Sequence, residues 1–375
     1  MSERKKICIL NSRLMLGGIE SVLIDGLQVL AKEYDIEIIC YLDDISDAVL
    51  AALPENVKVT YRPFGKGAIA KLLAQIPVLS GQIYKKLLGK GRWDYLLVLR
   101  PFLLNAVYAK RAKRTIYWCH NDSYLGFTAR PLPLKKRIVK WVRRKVYRKY
   151  DMIWTVSDKI AQEMGACFAL NNVRALPNPL NCQSIVLRAQ EDCDVFFDRE
   201  KTNFIMIGRM SSEKGFQRVL RFMCQQVLPS HPDAQLYLID KDTDSPRLRQ
   251  RMTQYGMADR VCLLGPQENP YPYLKQAQYL LCPSVNESFG LVMLEAMLLG
   301  VRVITTDTVG GAYVTQNGIY GCCVPNTDAA LQTAVETYLE NPDAYNCNLE
   351  EARQWAMKFD ISYFGDRLMK LLTEE

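Results

Sequence analysis

Phe204-Ile205-Met206-Ile207-Gly208-Arg209 reads as a β-strand ending in a glycine and a cation, and Lys214-Gly215 then opens a helix. Both cations stand in one strand-to-helix loop. Arg209 offers a planar fork to phosphate oxygens and Lys214 a compact point charge. Together they could bind a diphosphate and stabilise it as a leaving group. The order Gly-Lys-Ser/Thr is absent, so this is not a Walker loop. A solvated loop could carry the same two residues, and the pair gains meaning only beside a second motif.

That motif is Asn286-Glu287-Ser288-Phe289-Gly290-Leu291-Val292-Met293-Leu294-Glu295-Ala296-Met297. A strand ends at Cys282, a loop follows, and a helix should run from about Gly290 to Gly300. The helix is apolar on almost every face, which predicts burial. Glu295 inside it is costly unless hydrogen-bonded, and ribose hydroxyls would supply donors. Glu287 precedes the helix and should point away from its face. The amides of Phe289, Gly290, Leu291 and Val292 form a helix N-terminus, a site for phosphate or sugar hydroxyls. The plainer alternatives are a Glu295 paired with a nearby arginine and a Glu287 that merely complements the helix end.

Only two histidines occur. His120 follows the apparent strand Thr115 to Cys119 and is either a cleft residue or a satisfied structural histidine. Asp122 could orient an acceptor hydroxyl. His231, in Ser230-His231-Pro232, reads as a surface turn. Asp240-Lys241-Asp242-Thr243-Asp244 imitates a metal-binding Asp-x-Asp and a calcium loop. The calcium reading fails because Ser245 and Arg251 stand where glycine and glutamate are needed. A solvated acidic turn is the reading preferred.

The elements that must position these residues alternate between short β-rich runs and amphipathic helices. This pattern predicts α/β layers with mainly parallel strands. The first series has strands at Ile7–Leu10, Ile36–Tyr41, Val57–Tyr61, Tyr95–Leu99, Thr115–Cys119 and Met152–Val156, with a Gly17-Gly18 turn and a helix at about Ile19–Lys32 after the first. The second has Phe204–Ile207, Gln235–Ile239, Val261–Leu264, Tyr279–Cys282 and Val301–Thr305. A linker is expected from about Asn178 to Thr202 and a closing helix from Glu350 to Leu372. Two doubly wound domains in series imply a cleft lined by strand carboxyl ends.

The 375 residues exceed one ordinary core, which also argues for two domains. Twelve cysteines show no CxxC pair and no disulfide framework. Cys8, Cys40, Cys262 and Cys282 read as small core residues in a reducing compartment, and a Cys/His zinc site is poorly supported. No signal peptide and no run of 18 apolar residues appears, so a cytoplasmic protein that does not span a membrane is expected. Residues 1–182 hold 30 Lys and Arg against 15 Asp and Glu, net +15, whereas the remainder holds 18 against 25, net −7. The first half should therefore face something anionic. Within it, residues 134–150 carry nine Lys and Arg, with Leu134, Ile138, Trp141, Val142, Val146 and Tyr150 at helical spacing. This basic amphipathic helix suits an anionic membrane surface, although an ordinary helix packed on its sheet would read the same way. No nucleic-acid motif appears, and nucleic acid is not an expected partner.

The chain resembles retaining glycosyltransferases of family 4, of the bacterial surface-polysaccharide type, which have the GT-B fold of two Rossmann-like domains facing a cleft. The likeness rests on Gly17-Gly18-Ile19-Glu20, Pro177-Asn178-Pro179, Gly208-Arg209 with Glu213-Lys214-Gly215, the Glu287-x7-Glu295 pair and Gly310-Gly311. It implies an acceptor domain over residues 1–182, a nucleotide-sugar domain over 183–359 and a last helix, 360–375, crossing back to the first. By the same resemblance, Arg209 and Lys214 would hold the donor diphosphate and Glu295 the ribose. Glu287, with amides near Phe289 and Gly290, would contact the donor sugar, His120 would touch it, and Gly17 and Gly18 would let the first loop approach the phosphate. It further implies retention, no protein nucleophile, no bound metal or other cofactor, and a nucleotide-diphosphate sugar, UDP by default. A hexose-type sugar would pass to a lipid-linked or polysaccharide acceptor at the cytoplasmic membrane face. Two departures stand out: Ser288 replaces a common glycine, and residues 240–244 replace a glycine-rich turn, which leaves the base preference open. Rival expectations are a transferase with a soluble acceptor and a non-catalytic scaffold. A dehydrogenase is disfavoured because no GxGxxG follows the first strand.

Overall fold

A computed structural model describes residues 4–15, 17–42, 44–63, 77–120, 123–128, 131–240 and 246–374. The chain divides into two units, Met1–Pro179 with Ile361–Glu375, and Leu180–Asp360. Asp122 and residues 241–245 lie outside the described residues.

The first unit is built on seven parallel strands: β1 Lys6–Asn11, β2 Asp35–Cys40, β3 Val57–Tyr61, β4 Trp93–Val98, β5 Ala112–Cys119, β6 Met152–Thr155 and β7 Val173–Ala175, in the order β3-β2-β1-β4-β5-β6-β7. β1 is buried at every residue after Lys6, as expected of a strand covered on both faces. Trp118 and Trp154 meet edge to face at 5.8 Å in the core. The second unit has six: β8 Thr202–Ile207, β9 Ala234–Ile239, β10 Val261–Gly265, β11 Tyr279–Cys282, β12 Arg302–Thr306 and β13 Cys322–Val324, in the order β10-β9-β8-β11-β12-β13. Each is a Rossmann-like doubly wound sheet. The strand order reverses between β1 and β4 in one and between β8 and β11 in the other. Such reversals open a crevice at the strand carboxyl ends.

Several elements differ from the sequence expectation. The stretch taken as linker holds a helix, Cys182–Arg188, whose Asn181 side chain accepts from the Ser184 amide. The closing segment is two helices, Leu349–Met357 and Ile361–Thr373. The break falls where Phe359 buries its ring against Trp355 and Phe289 and Asp360 forms a parallel bridge to Leu180. Cys8, Cys40 and Cys282 are buried and Cys262 half-buried, and all twelve cysteines are free.

Candidate active site

In the second unit, β8 runs out at Ile207 and Gly208 turns the chain at φ 140°. The Gly208 amide still bonds the Ile239 carbonyl of β9. Arg209 is exposed and makes no ion pair among the described residues. The loop is held from below by Asp240, which follows β9 and accepts the Met210 amide at 2.5 Å. Asp240 is buried, so the reading of a solvated acidic turn is wrong at this residue: its carboxylate clamps the cationic loop. Gly215 closes the loop at φ 74°, and a Cβ there would lie 2.2 Å from the Pro283 carbonyl oxygen. The helix Phe216–Phe222 follows.

Across the strand reversal, Pro283 to Gly290 follows β11. Val285 donates its amide to the Glu213 carbonyl at 2.7 Å, tying the two loops together. Lys214 Nζ donates to Glu287 Oε2 in a direct ion pair. Ser284 Oγ donates to the same oxygen at 3.3 Å. Burial pulls the Lys214 pKa down and nearby Arg209 does so further. The charge of Glu287, the Cys282 thiol and the Glu287 hydrogen bond outweigh them, and the net shift is upward. Lys214 is therefore a firmly charged ammonium. The Arg218 side chain is buried and braces the floor, with bonds to Asp328 at 2.7 Å, Asn326 at 2.6 Å and the Pro283 carbonyl at 3.2 Å.

Gly290, at φ 88°, starts the helix Leu291–Leu298. A Cβ there would strike Met293 Cε at 2.2 Å. Leu291 and Val292 are half-buried at its first turn. The Phe289 ring is buried against Tyr313 and Phe359, so only its backbone is placed to serve a ligand. Gly310 lies against that backbone, where a Cβ would come within 2.6 Å of the Phe289 nitrogen, and the Gly310 amide bonds the Glu287 carbonyl at 2.7 Å. Glu295 was expected to be buried. It is half-buried, because it sits on the helix edge facing Tyr271, whose hydroxyl donates to Oε1 at 3.4 Å. The Arg188 guanidinium lies over the Tyr271 ring at 5.3 Å; the sequence pointed to neither residue.

Gly17, Gly18 and His120 belong to the first unit. Gly17 caps the helix Gly18–Leu30, and Glu20 in its first turn is buried. Glu20 accepts an ion-paired hydrogen bond from Arg100, whose Nε also reaches Asn11 Oδ1 at 3.0 Å. Arg100 follows β4, so this acid–cation pair stands at the strand reversal of its own sheet. The rule that chemistry follows strand ends would have found Arg100, Asp240 and Ser284. His120 lies beside Trp118, with ring centroids 4.9 Å apart. Its pKa falls to about 3, chiefly through burial and then through the Arg100 charge, with Asn178 acting upward. Both imidazole nitrogens are shielded from water, with the Asn178 side chain beside them. The ring is thus neutral at ordinary pH.

The helix Leu134–Tyr147 does not present one apolar stripe. Leu134, Ile138 and Trp141 are 70%, 56% and 56% exposed, whereas Val146, and Tyr150 beyond the helix end, are buried. Its first half therefore offers apolar groups to solvent among the cations. Among the described residues no cluster of His, Cys, Asp and Glu could hold a metal ion, and no helix is long and apolar enough to cross a membrane.

Residues 16–184 match the family model described as Glycosyltransferase Family 4, and residues 190–355 match Glycosyl transferases group 1. One relative is the N-acetylgalactosamine-N,N'-diacetylbacillosaminyl-diphospho-undecaprenol 4-alpha-N-acetylgalactosaminyltransferase of Campylobacter jejuni, 22% identical over 95% of this chain and 96% of that protein. Another is the alpha-D-kanosaminyltransferase of Streptomyces kanamyceticus, 23% identical over 68% of this chain and 69% of that protein. Among solved structures, Anabaena Alr3699/HepE in complex with UDP and glucose aligns over 99% of this chain and 100% of its own, at TM-score 0.71 and 18% identity. The sucrose-phosphate synthase of Thermosynechococcus elongatus aligns over 98% of both chains at TM-score 0.74 and 17% identity. With its two Rossmann-like sheets and its two halves matched by glycosyltransferase family models, the chain belongs to the glycosyltransferases with the GT-B fold.

Proposed function

We propose that this enzyme moves a hexose-type sugar from a nucleoside diphosphate sugar, UDP first among the bases, to a lipid-linked or polysaccharide acceptor with retention at the anomeric carbon. The observation that carries the proposal is the Lys214–Glu287 ion pair beside Arg209 at the strand reversal of the second unit. The two cations would take the donor diphosphate. Glu287, steered by Lys214 and Ser284, would accept from sugar hydroxyls, Glu295 from the ribose, and the amides from Phe289 to Val292 would line the sugar. As the acceptor oxygen bonds the anomeric carbon, the bond from that carbon to the diphosphate oxygen breaks on the same face. The hydroxyl proton passes to the departing diphosphate, whose charge Arg209 and Lys214 stabilise. No metal or other cofactor enters this scheme. UDP is favoured by the ligand of the Anabaena neighbour, and a lipid-linked acceptor by the name of the Campylobacter relative.

A thermal-shift screen of UDP-, GDP-, ADP- and CMP-sugars reads the donor. One nucleotide sugar should stabilise the protein and be slowly hydrolysed, and Glu287→Ala or Lys214→Ala should abolish the hydrolysis. Full activity in both variants would overturn the site. The exposed Leu134, Ile138 and Trp141 among nine cations favour peripheral attachment at the cytoplasmic membrane face. Vesicle sedimentation tests this: failure to bind anionic vesicles at moderate salt would leave the soluble-acceptor reading.

A further inference from the structure

At the opposite end of the first sheet, the starts of β1, β4 and β5 surround a cavity of about 530 Å³. Arg4 and Lys5 line it from just before β1 and Lys6 from its first residue, Arg92 from before β4, and Lys110, Arg111 and Lys113 from around the start of β5. Asp94 is the sole acid in the lining. It is already engaged, accepting from Lys113 Nζ at 2.7 Å and from the Lys6 amide at 2.8 Å. Arg4 is likewise occupied, donating to the Ala31 carbonyl at 2.8 Å and facing Asp35 at 3.8 Å. Lys5, Arg92, Lys110 and Arg111 have no ion pair among the described residues. The Arg111 Nε is shut off from water without a hydrogen-bond partner. Burying such a donor is costly.

A cavity of this volume is roughly 10 Å across, about one Debye length at 0.1 M salt, so the repulsion among the four charges is only partly screened and grows at low ionic strength. An arriving anion would relieve the repulsion. The volume suits a small ligand, and the Arg forks suit phosphate oxygens. Trp93 offers no open face for stacking a base: it is buried, and Gly91 covers it so closely that a Cβ would fall 2.4 Å from the ring. We infer that this cavity binds a compact anion carrying two or more phosphate groups, at a site separate from the strand-carboxyl-end chemistry. The phosphates could belong to a free oligophosphate or to a lipid headgroup.

The test is differential scanning fluorimetry of the full chain with sodium tripolyphosphate at low ionic strength. The unfolding midpoint should rise, and the rise should fade with added salt. Combined Arg92→Gln, Lys110→Gln and Arg111→Gln should weaken the fitted affinity by about tenfold or more. Lys110→Gln alone, at an exposed residue, should weaken it measurably and guards against a triple variant that folds poorly. Arg209→Ala should remove at most the share of the response that belongs to the donor site and Lys135→Gln/Lys136→Gln none of it, so the loss in the triple variant separates this cavity from both. An equal rise in the triple variant, or a rise lost only in Arg209→Ala, would overturn the inference. Sedimentation with phosphatidylglycerol vesicles then assigns the source. Retention that needs the three cavity residues supports the headgroup, and a tripolyphosphate response with vesicle retention indifferent to them supports the free anion.

Discussion

Removing Lys214 and Glu287 singly and together should expose a strong coupling between them. Their side chains are 31% and 11% exposed, between the solvated pairs worth at most about 1 kcal/mol and the buried pairs whose breakage costs about 3–5 kcal/mol. Lys214→Ala leaves Glu287 with the Ser284 hydroxyl at 3.3 Å. Glu287→Ala strands a half-buried ammonium. Each single variant should destabilise the second unit, and the double variant should lose less than their sum by about 1.5–3 kcal/mol. Urea unfolding of the four proteins measures this term. The upward pKa shift of Lys214 sets the pH window. A folded pKa above the unfolded value gives stability that is complete below the unfolded pKa, about 10.4, and is lost as pH rises through the folded one. The coupling should therefore be flat from pH 6 to about 9 and fall only in stronger alkali. Additivity within about 0.5 kcal/mol at pH 7 would refute the claim that the pair organises this crevice.

Gly215→Ala forces an unfavourable positive φ and a 2.2 Å clash with Pro283, so it should cost more than about 1 kcal/mol, seen as a midpoint at least about 2–4 °C lower. His120 has a folded pKa near 3, below its unfolded value. The unfolded chain binds the proton first, and stability should fall as pH drops below about 6.5, with a slope of at most about 1.4 kcal/mol per pH unit. Acid titrations of wild type and His120→Asn should differ by that slope, and superimposable curves would refute it. Asp240→Ala frees the Met210 amide and should cost about 1–3 kcal/mol, with faster hydrogen exchange at Met210 as the direct readout.

Much of this fold is written in local patterns. β1, β8 and β11 are continuous apolar runs because both faces of each sheet are covered, and the glycine turns after β1 and β8 mark where chemistry begins. The three-residue strands β7 and β13 were not legible: Val173-Arg174-Ala175 and Cys322-Cys323-Val324 are only partly buried and draw their character from the neighbour they pair with. The split near Phe359 was hidden for the same reason, since an aromatic cluster assembled from distant residues ends a helix that local propensity would continue. At the site, the motif carriers Arg209, Lys214 and Glu287 could be read directly. Their supports could not. Asp240 resembled a solvated turn because its partner is a backbone amide on another strand's loop, and within the first unit the partners Glu20 and Arg100 are separated by 80 residues. The basic helix shows the limit of periodicity, which found an apolar face but could not tell which half of it the sheet would cover.

The helix Ile361–Thr373 belongs to the unit that begins the chain. Phe364 stacks on Trp118 at 6.3 Å, and Gly365 meets Val29, where a Cβ would sit 3.2 Å from that side chain. Arg114 reaches the Leu372 carbonyl at 3.1 Å, and Glu374 pairs with Arg174 at 2.9 Å. The unit between is an insertion whose entry and exit, Leu180 and Asp360, lie side by side in a β-bridge. During synthesis the inserted unit can complete its core before its host does, because the host waits for a helix made after it. A truncation at Asp360 would thus damage the half of the protein encoded first, while residues 180–360, which have a sheet and core of their own, should fold as an excised piece.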